Sequence, residues 1–296
     1  MKYDDTWIIN RPDKKRGGGA PSPAVLRPAL GFFLLLVVCL LSAAAAHART
    51  DLFFLAPVSG SVADEVAVPL MVKGERLQAG SFDMLVDTRY AEPITEVDNR
   101  IILEKGPLAQ AHPTYFLMAA LQDARYDEGR PYLRTVRVAF AFQSPVNTAG
   151  VETLARIRLV LVARPPEGVV ILPILRDGDR MAEFAAYRQG GGLIVFSGPG
   201  QSPDIAVTYP ENGQRYEETT LTVSATATDA AGVDLSHVYW VDPFRLVEPA
   251  EDSPVLLEGS SGDLTFSPGL HVLFCAGTDV SGNWAGAWTA FGIQED

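Results

Sequence analysis

Two stretches of strict two-residue alternation decide most of what this chain can become. In Leu154–Ala163, the residues Ala155, Ile157, Leu159, Leu161 and Ala163 recur at every second position, with Arg156 and Arg158 between them. In Thr219–Asp229, Leu221, Val223, Ala225 and Ala227 alternate with Thr222, Ser224, Thr226 and Thr228. A period of two places one set of side chains on each face of a pleated strand, whereas a helix needs a period near 3.6. The same signature recurs in Val66–Val72, Thr135–Phe142, and Ser81–Asp87, where Phe82, Met84 and Val86 share a face. Gly168–Leu175, Leu193–Phe196, Ile205–Pro210, Val238–Val241, Leu264–Phe266 and His271–Ala276 are further short β-rich runs. Gly, Pro and Asp separate them, which is the spacing of sandwiches. Thr114–Leu121 fits a strand pairing with Thr135–Phe142 through the polar loop Asp123–Arg130. A short helix from Thr114 to Arg125, opened after Pro113, is the alternative reading.

The expected fold class is all-β, with two consecutive β-sandwiches. The first covers about residues 50–198 and the second 204–296. Residues 199–203 link them, because Gly198-Pro199-Gly200-Gln201-Ser202-Pro203 interrupts the strand pattern with turn formers. The two regions differ in strand spacing and turn residues, so they are not repeats of one another.

Residues 1–48 read as an address. Lys14, Lys15, Arg16 and Arg27 precede the apolar run Ala29–Ala46, and Ala46-His47-Ala48 offers small residues at the spacing of a cleavage site. A cleaved signal peptide and an uncleaved anchor both fit, since Ala29–Ala46 has about the length needed to span a bilayer. As an anchor helix this run would be the point of membrane attachment. In either case the remainder lies outside the cytoplasm: secreted, periplasmic or at the cell surface. Val38 before Cys39 does not suit a lipid-attachment signal. Loss of residues 1–48 removes Lys2, Arg11, Lys14, Lys15, Arg16 and Arg27 against only Asp4, Asp5 and Asp13, leaving a more acidic chain than the net −12 of the whole. Such a balance argues against nucleic acid, whose phosphates call for clustered Lys and Arg. Cys39 and Cys275 are the only cysteines, so the folded part gets no disulfide staple and stands on its core. Cys275, in an apolar run, reads as a buried small hydrophobe.

Taken in order, Val66-Ala67-Val68-Pro69-Leu70, Ala79-Gly80-Ser81-Phe82-Asp83-Met84-Leu85-Val86-Asp87, Val136-Arg137-Val138-Ala139-Phe140-Ala141, Gly150–Ile157 and Gly191–Val195 resemble the strand motifs of a cohesin domain. That resemblance implies a jelly-roll sandwich, a fold shared with some carbohydrate-binding modules, and docking onto dockerin modules of polysaccharide-degrading complexes. The connection 88–113 is long for the family, and Asp87-Thr88-Arg89-Tyr90 stands where members usually read Y-D-P. In the second region, Pro210-Glu211-Asn212-Gly213, Ala225–Val233 and Gly269–Leu273 leading to Thr278-Asp279-Val280-Ser281-Gly282-Asn283 resemble the bacterial Ig-like domain. Members of that family act mostly as spacers and adhesive modules on exported proteins.

Catalytic signatures are missing from the sequence. There is no G-x-S-x-G elbow, H-E-x-x-H, phosphate loop or G-x-G-x-x-G, so the chain reads as a non-enzyme. His112, His237 and His271 are not spaced as a metal pair. Gly190-Gly191-Gly192 leads into a strand rather than a helix and reads as a turn, as does Asp177-Gly178-Asp179. No cofactor is expected. Asp229, Asp279 and Asn283 are candidate ligands for Ca²⁺, which takes carboxylate and amide oxygens; the same residue types at strand ends also bond their own backbone in turns. Trp284 and Trp288 flank a Gly-containing segment and are candidates for an exposed sugar platform, while Trp240, mid-strand, reads as core.

Three functions fit these readings. One is a non-catalytic module docking an extracellular protein partner through the first sandwich. Another is carbohydrate or polysaccharide binding by either sandwich. The third is a structural component of a cell-surface assembly.

Overall fold

The computed structural model describes residues 52–125, 129–175, 188–197, 203–228, 233–248, 250 and 252–294. The signal or anchor segment with Ala29–Ala46 and Cys39, the turn Asp177–Asp179, most of the linker, and Asp229 lie outside them. Among the described residues, no helix is long and apolar enough to cross a membrane.

Strands dominate. The first half holds β1 (Leu52–Leu55), β2 (Val58–Gly60), β3 (Glu65–Lys73), β4 (Leu77–Asp87), β5 (Ala91–Pro93), β6 (Arg100–Ile101) and β7 (Leu103–Lys105). After the short helix α1 (Pro107–Ala111) come β8 (Thr114–Arg125), β9 (Leu133–Val146), β10 (Glu152–Leu161), β11 (Val169–Leu172), β12 (Ile174–Leu175), β13 (Arg188–Gly190) and β14 (Gly192–Phe196). The expected strand at Thr114–Leu121 forms and pairs antiparallel with β9, Leu117 opposite Phe140 and Ala119 opposite Val138. Connection 88–113 is long because it carries three short strands and α1. The run Gly168–Leu175 divides at Pro173, which separates β11 from β12 and sends them to different sheets.

Two sheets face each other in this half. One runs β13-β1-β3-β10-β5, with β7 also on β10, and the other contains β12-β4-β9-β8-β6. Their inner faces supply one core, in which Val68, Leu70, Met84, Val138, Ile157 and Leu159 are fully buried. These are the alternate positions picked out by the period of two. Each such side chain contributes roughly 1.5–3 kcal/mol by leaving water. The first and last strands close the half by parallel pairing, Phe53 opposite Gln189 and Ile194 opposite Val58.

The second half holds β15 (Asp204–Tyr209), β16 (Arg215–Tyr216), β17 (Thr220–Thr228), β18 (Val233–Val241), β19 (Val247–Glu248), β20 (Val255–Glu258), β21 (Ser261–Thr265), β22 (Gly269–Asp279) and β23 (Trp284–Ile293). A three-stranded sheet, β15-β17-β21, packs against a five-stranded one, β16-β23-β22-β18-β20. Ile205, Leu221, Val223, Trp240, Cys275 and Phe291 fill the space between them. Trp240 is core, as expected, and its Nε1 donates to the Gly259 carbonyl at 3.1 Å.

A third apolar cluster joins the halves. Leu52, Phe54, Leu193 and Val195 from the first meet Val241, Phe244, Phe274 and Trp284 from the second. The ring of Phe54 lies 5.9 Å from Phe274 and 5.4 Å from Trp288. Beside this cluster β19 adds to β12 in parallel, Ile174 opposite Val247, so the second half extends a sheet of the first. The Arg188 guanidinium stacks 4.0 Å over Phe244 and donates to the Leu270 carbonyl at 2.8 Å, and Arg130 pairs with Glu248 at 3.0 Å. Residues 48–296 accordingly form one compact unit, where a linker had suggested two bodies in series. Gly190-Gly191-Gly192, expected as a turn, runs through this junction as the end of β13 and the start of β14. A Cβ on Gly191 would stand 2.6 Å from the carbonyl oxygens of Leu172 and Leu246, one on each side of the junction.

Candidate functional site

The outer face of the β4-β9-β8 sheet carries exposed apolar side chains. Since Phe82, Met84, Val136, Val138 and Phe140 point into the core, their neighbours in sequence point out. The register places these outward residues in cross-strand rows. Phe116, Ala141 and Ala79 make one, and Met118, Ala139 and Ser81 the next. Arg100, Ala120, Arg137 and Asp83 make the third. Small side chains across β9 and β4 leave the middle of this face flat. At its β8 border Phe116 and Met118 remain 46% and 44% exposed, and the adjacent Tyr115 72%. The charged row is ordered: Arg137 Nε and Nη2 donate to the two Asp83 carboxylate oxygens at 2.8 and 2.6 Å. This two-point fork fixes the guanidinium against the carboxylate.

The sequence candidates fall elsewhere. Trp284, expected as part of an exposed sugar platform, is only 9% exposed. Its indole stacks on Tyr239 at 6.0 Å, and it lies so close to Gly168 that a Cβ there would meet it at 2.5 Å. Trp288 is half-buried, edge-on to Phe54. Both belong to the junction between the halves, which buries Trp284 and half-buries Trp288. The Gly-containing segment between them is part of β23.

Asp279 and Asn283 do come together, each 3% exposed. Asp279 Oδ1 accepts from the backbone N–H of Ser281 and of Asn283, both at 2.8 Å, and Oδ2 accepts from Asn283 Nδ2 at 2.8 Å. Burial by itself raises the pKa of this carboxyl, but the hydrogen bonds from Asn283, Ser281 and Gly282 outweigh it and hold the pKa below its ordinary value. A cation needs oxygens converging on one point, whereas here N–H groups already point at the carboxylate. The arrangement closes the β22–β23 turn. Among the described residues, no three His, Cys, Asp or Glu side chains gather as a metal would require.

Cys275 is fully buried, and burial pushes its thiol up to about 12, which makes it an inert core residue. His271 is held between Phe266 and Phe291 with Nε2 2.7 Å from the Ser267 carbonyl.

No family model matches the chain, and no curated protein does. Solved structures similar to part of it include the seventh ScaB type I cohesin of Pseudobacteroides cellulosolvens, at 13% identity and a TM-score of 0.32, covering 51% of this chain and 94% of that one. The non-cellulosomal cohesin of the hyperthermophilic archaeon Archaeoglobus fulgidus is 12% identical with a TM-score of 0.30, covering 50% and 91%. The type II cohesin A11 of Bacteroides cellulosolvens is 13% identical with a TM-score of 0.35, covering 49% and 98%. Identities this low leave the role of this chain to be argued from its own residues.

Proposed function

We propose that this is an exported, non-catalytic docking protein that engages a protein partner through the outer face of β4, β9 and β8. The observation that carries this reading is the pair of rows Phe116–Ala141–Ala79 and Met118–Ala139–Ser81, a flat centre with large apolar side chains exposed at its border. A flat apolar centre edged by charge is the usual anatomy of a protein interface. No aromatic row runs across it, as a sugar platform would have. The sequence motifs that resemble cohesins include β4 and β9, the strands forming this face, so a dockerin-type module is the partner to try first. The second half, Ig-like in its motifs, acts in this reading as a brace that presents the face. The basic lead and apolar run at residues 1–46 support export, by a cleaved signal or by an anchor that keeps the module at the cell surface.

Photo-crosslinking tests the reading. A photoreactive side chain at position 116 or 118 is expected to crosslink to a dockerin module or another envelope protein of the same organism. The same probe at exposed Val280, far along the chain in the β22–β23 turn, is expected to give no such product. Equal crosslinking from both positions, or none from 116 and 118, would count against the face.

A further inference from the structure

The outer face of the β15-β17-β21 sheet differs in chemistry from the docking face. On β17, Leu221 and Val223 are buried, while Thr220, Thr222, Thr226 and Thr228 are exposed and Ser224 is half-buried. The neighbouring strands continue the hydroxyl array: Thr265 lies opposite Thr220, Asp263 opposite Thr222 and Ser261 opposite Ser224. Thr220 and Thr265 hydroxyls are 3.0 Å apart, Thr222 Oγ1 donates to Asp263 Oδ1 at 2.6 Å, and the Thr208 and Ser224 hydroxyls are 2.8 Å apart. These bonds fix the rotors without exhausting them, because a hydroxyl that donates once still has two lone pairs to accept with.

A shallow cleft of about 460 Å³ opens on this face, lined by Tyr209, Glu218, Thr220, Leu221, Thr222 and Ser224. That volume is within the range of small-ligand clefts, about 300–1,000 Å³. Tyr209 lines the cleft with a half-buried ring whose other contacts are the core of this half and the edge-to-face ring of Tyr216 at 5.1 Å. Its hydroxyl pKa is raised by burial first, and then by Tyr216, Glu218 and Glu211, and Glu218 lines the same cleft.

We propose that this cleft binds an uncharged polysaccharide chain. A sugar ring has an apolar C–H face and a rim of hydroxyls that both donate and accept, and the cleft pairs one aromatic ring with hydroxyls and a carboxylate acceptor. No Lys, Arg or His lines it, so phosphate, sulfate and uronate ligands would meet Glu218 without a counter-charge. An apolar ligand would strip water from the hydroxyls and return nothing. A peptide adding as a strand would use a sheet edge rather than this face. The site stands apart from the docking face, being on a different sheet, and neither reading depends on the other.

Affinity electrophoresis of the full chain tests it, with hydroxyethyl cellulose, galactomannan and mixed-linkage β-glucan as neutral probes and polygalacturonate as the acidic one. At least one neutral polymer is expected to retard the protein, and polygalacturonate is not. Tyr209→Ala and Glu218→Ala are each expected to weaken retardation about tenfold, equivalent to about 1.4 kcal/mol, while Tyr209→Phe keeps it. Glu218 is exposed, so its variant stays informative if Tyr209→Ala unfolds, and thermal unfolding shows which variants remain native. Three results would overturn the proposal: no retardation by any neutral polymer, stronger retardation by polygalacturonate, or undiminished retardation of a folded Glu218→Ala.

Discussion

His271 shows what single residues contribute here. Burial between Phe266 and Phe291 lowers its pKa below the ordinary 6.5, and nearby Arg188 lowers it further, while the Ser267 carbonyl and Asp242 act the other way. A folded-state pKa below the unfolded one means that the unfolded chain binds the proton first on acidification. The stabilisation is therefore complete above the unfolded value of 6.5 and is lost as pH falls through the folded value. Unfolding temperature is expected to drop between pH 7 and pH 5, and to drop less in His271→Phe; an identical pH profile in the variant would refute this. The pair Asp279 and Asn283 was legible in the sequence as a polar cluster, but not its purpose. Carboxylate and amide side chains serve a turn or a metal equally well until the donors around them are known, and here the N–H groups of Ser281 and Asn283 engage the Asp279 carboxylate within the turn.

At the scale of elements, the strands were legible wherever one face met solvent. Alternation in β10 and β17 marked both elements and their inward residues, and the structure buries Ile157, Leu159, Leu221 and Val223 as the pattern requires. Of the two strands buried on both faces, β14 was read as the β-rich run Leu193–Phe196, whereas β1 was not read. All four residues of β1 and all five of β14 are buried, because one side serves the first core and the other the junction. The signal was present: Leu52-Phe53-Phe54-Leu55 and Leu193-Ile194-Val195-Phe196 are continuous apolar runs, the mark of a strand covered on both sides. The flat outer face of β4-β9-β8 was illegible for a different reason. Its rows depend on register, and irregularities between Leu77 and Ala79 and between Thr114 and Phe116 shift that register where sequence offers no sign. Gly191 gives a sharp test of the junction. Gly191→Val should cost roughly 1–3 kcal/mol, as overpacking does, since its side chain would press on Leu172 and Leu246. An unchanged unfolding temperature would show that the halves do not meet there.

For the molecule as a whole, the composition break around Pro199 suggested a spacer domain trailing behind a docking domain. The apolar cluster containing Phe54, Val195, Phe274 and Trp284 makes the second half a fixed support for the first. Separating the halves would expose that cluster to water, at a cost far larger than a surface contact between independent domains. Calorimetry is expected to show residues 48–296 unfolding in one transition; two resolved transitions would return the halves to independence. The compact unit then carries two faces of different character, an apolar one on β4-β9-β8 and a hydroxyl-rich one on β15-β17-β21. The docking claim is tested most directly by titrating purified dockerin modules from the same organism against the protein and its Ala139→Arg variant in a calorimeter. Ala139 lies at the centre of the flat face, opposite Met118 and Ser81, where a long charged side chain blocks approach without touching the core. Saturable binding by at least one module is expected, with a loss of at least about a hundredfold in the variant, near 2.7 kcal/mol. Binding of equal strength in both proteins would contradict the docking claim.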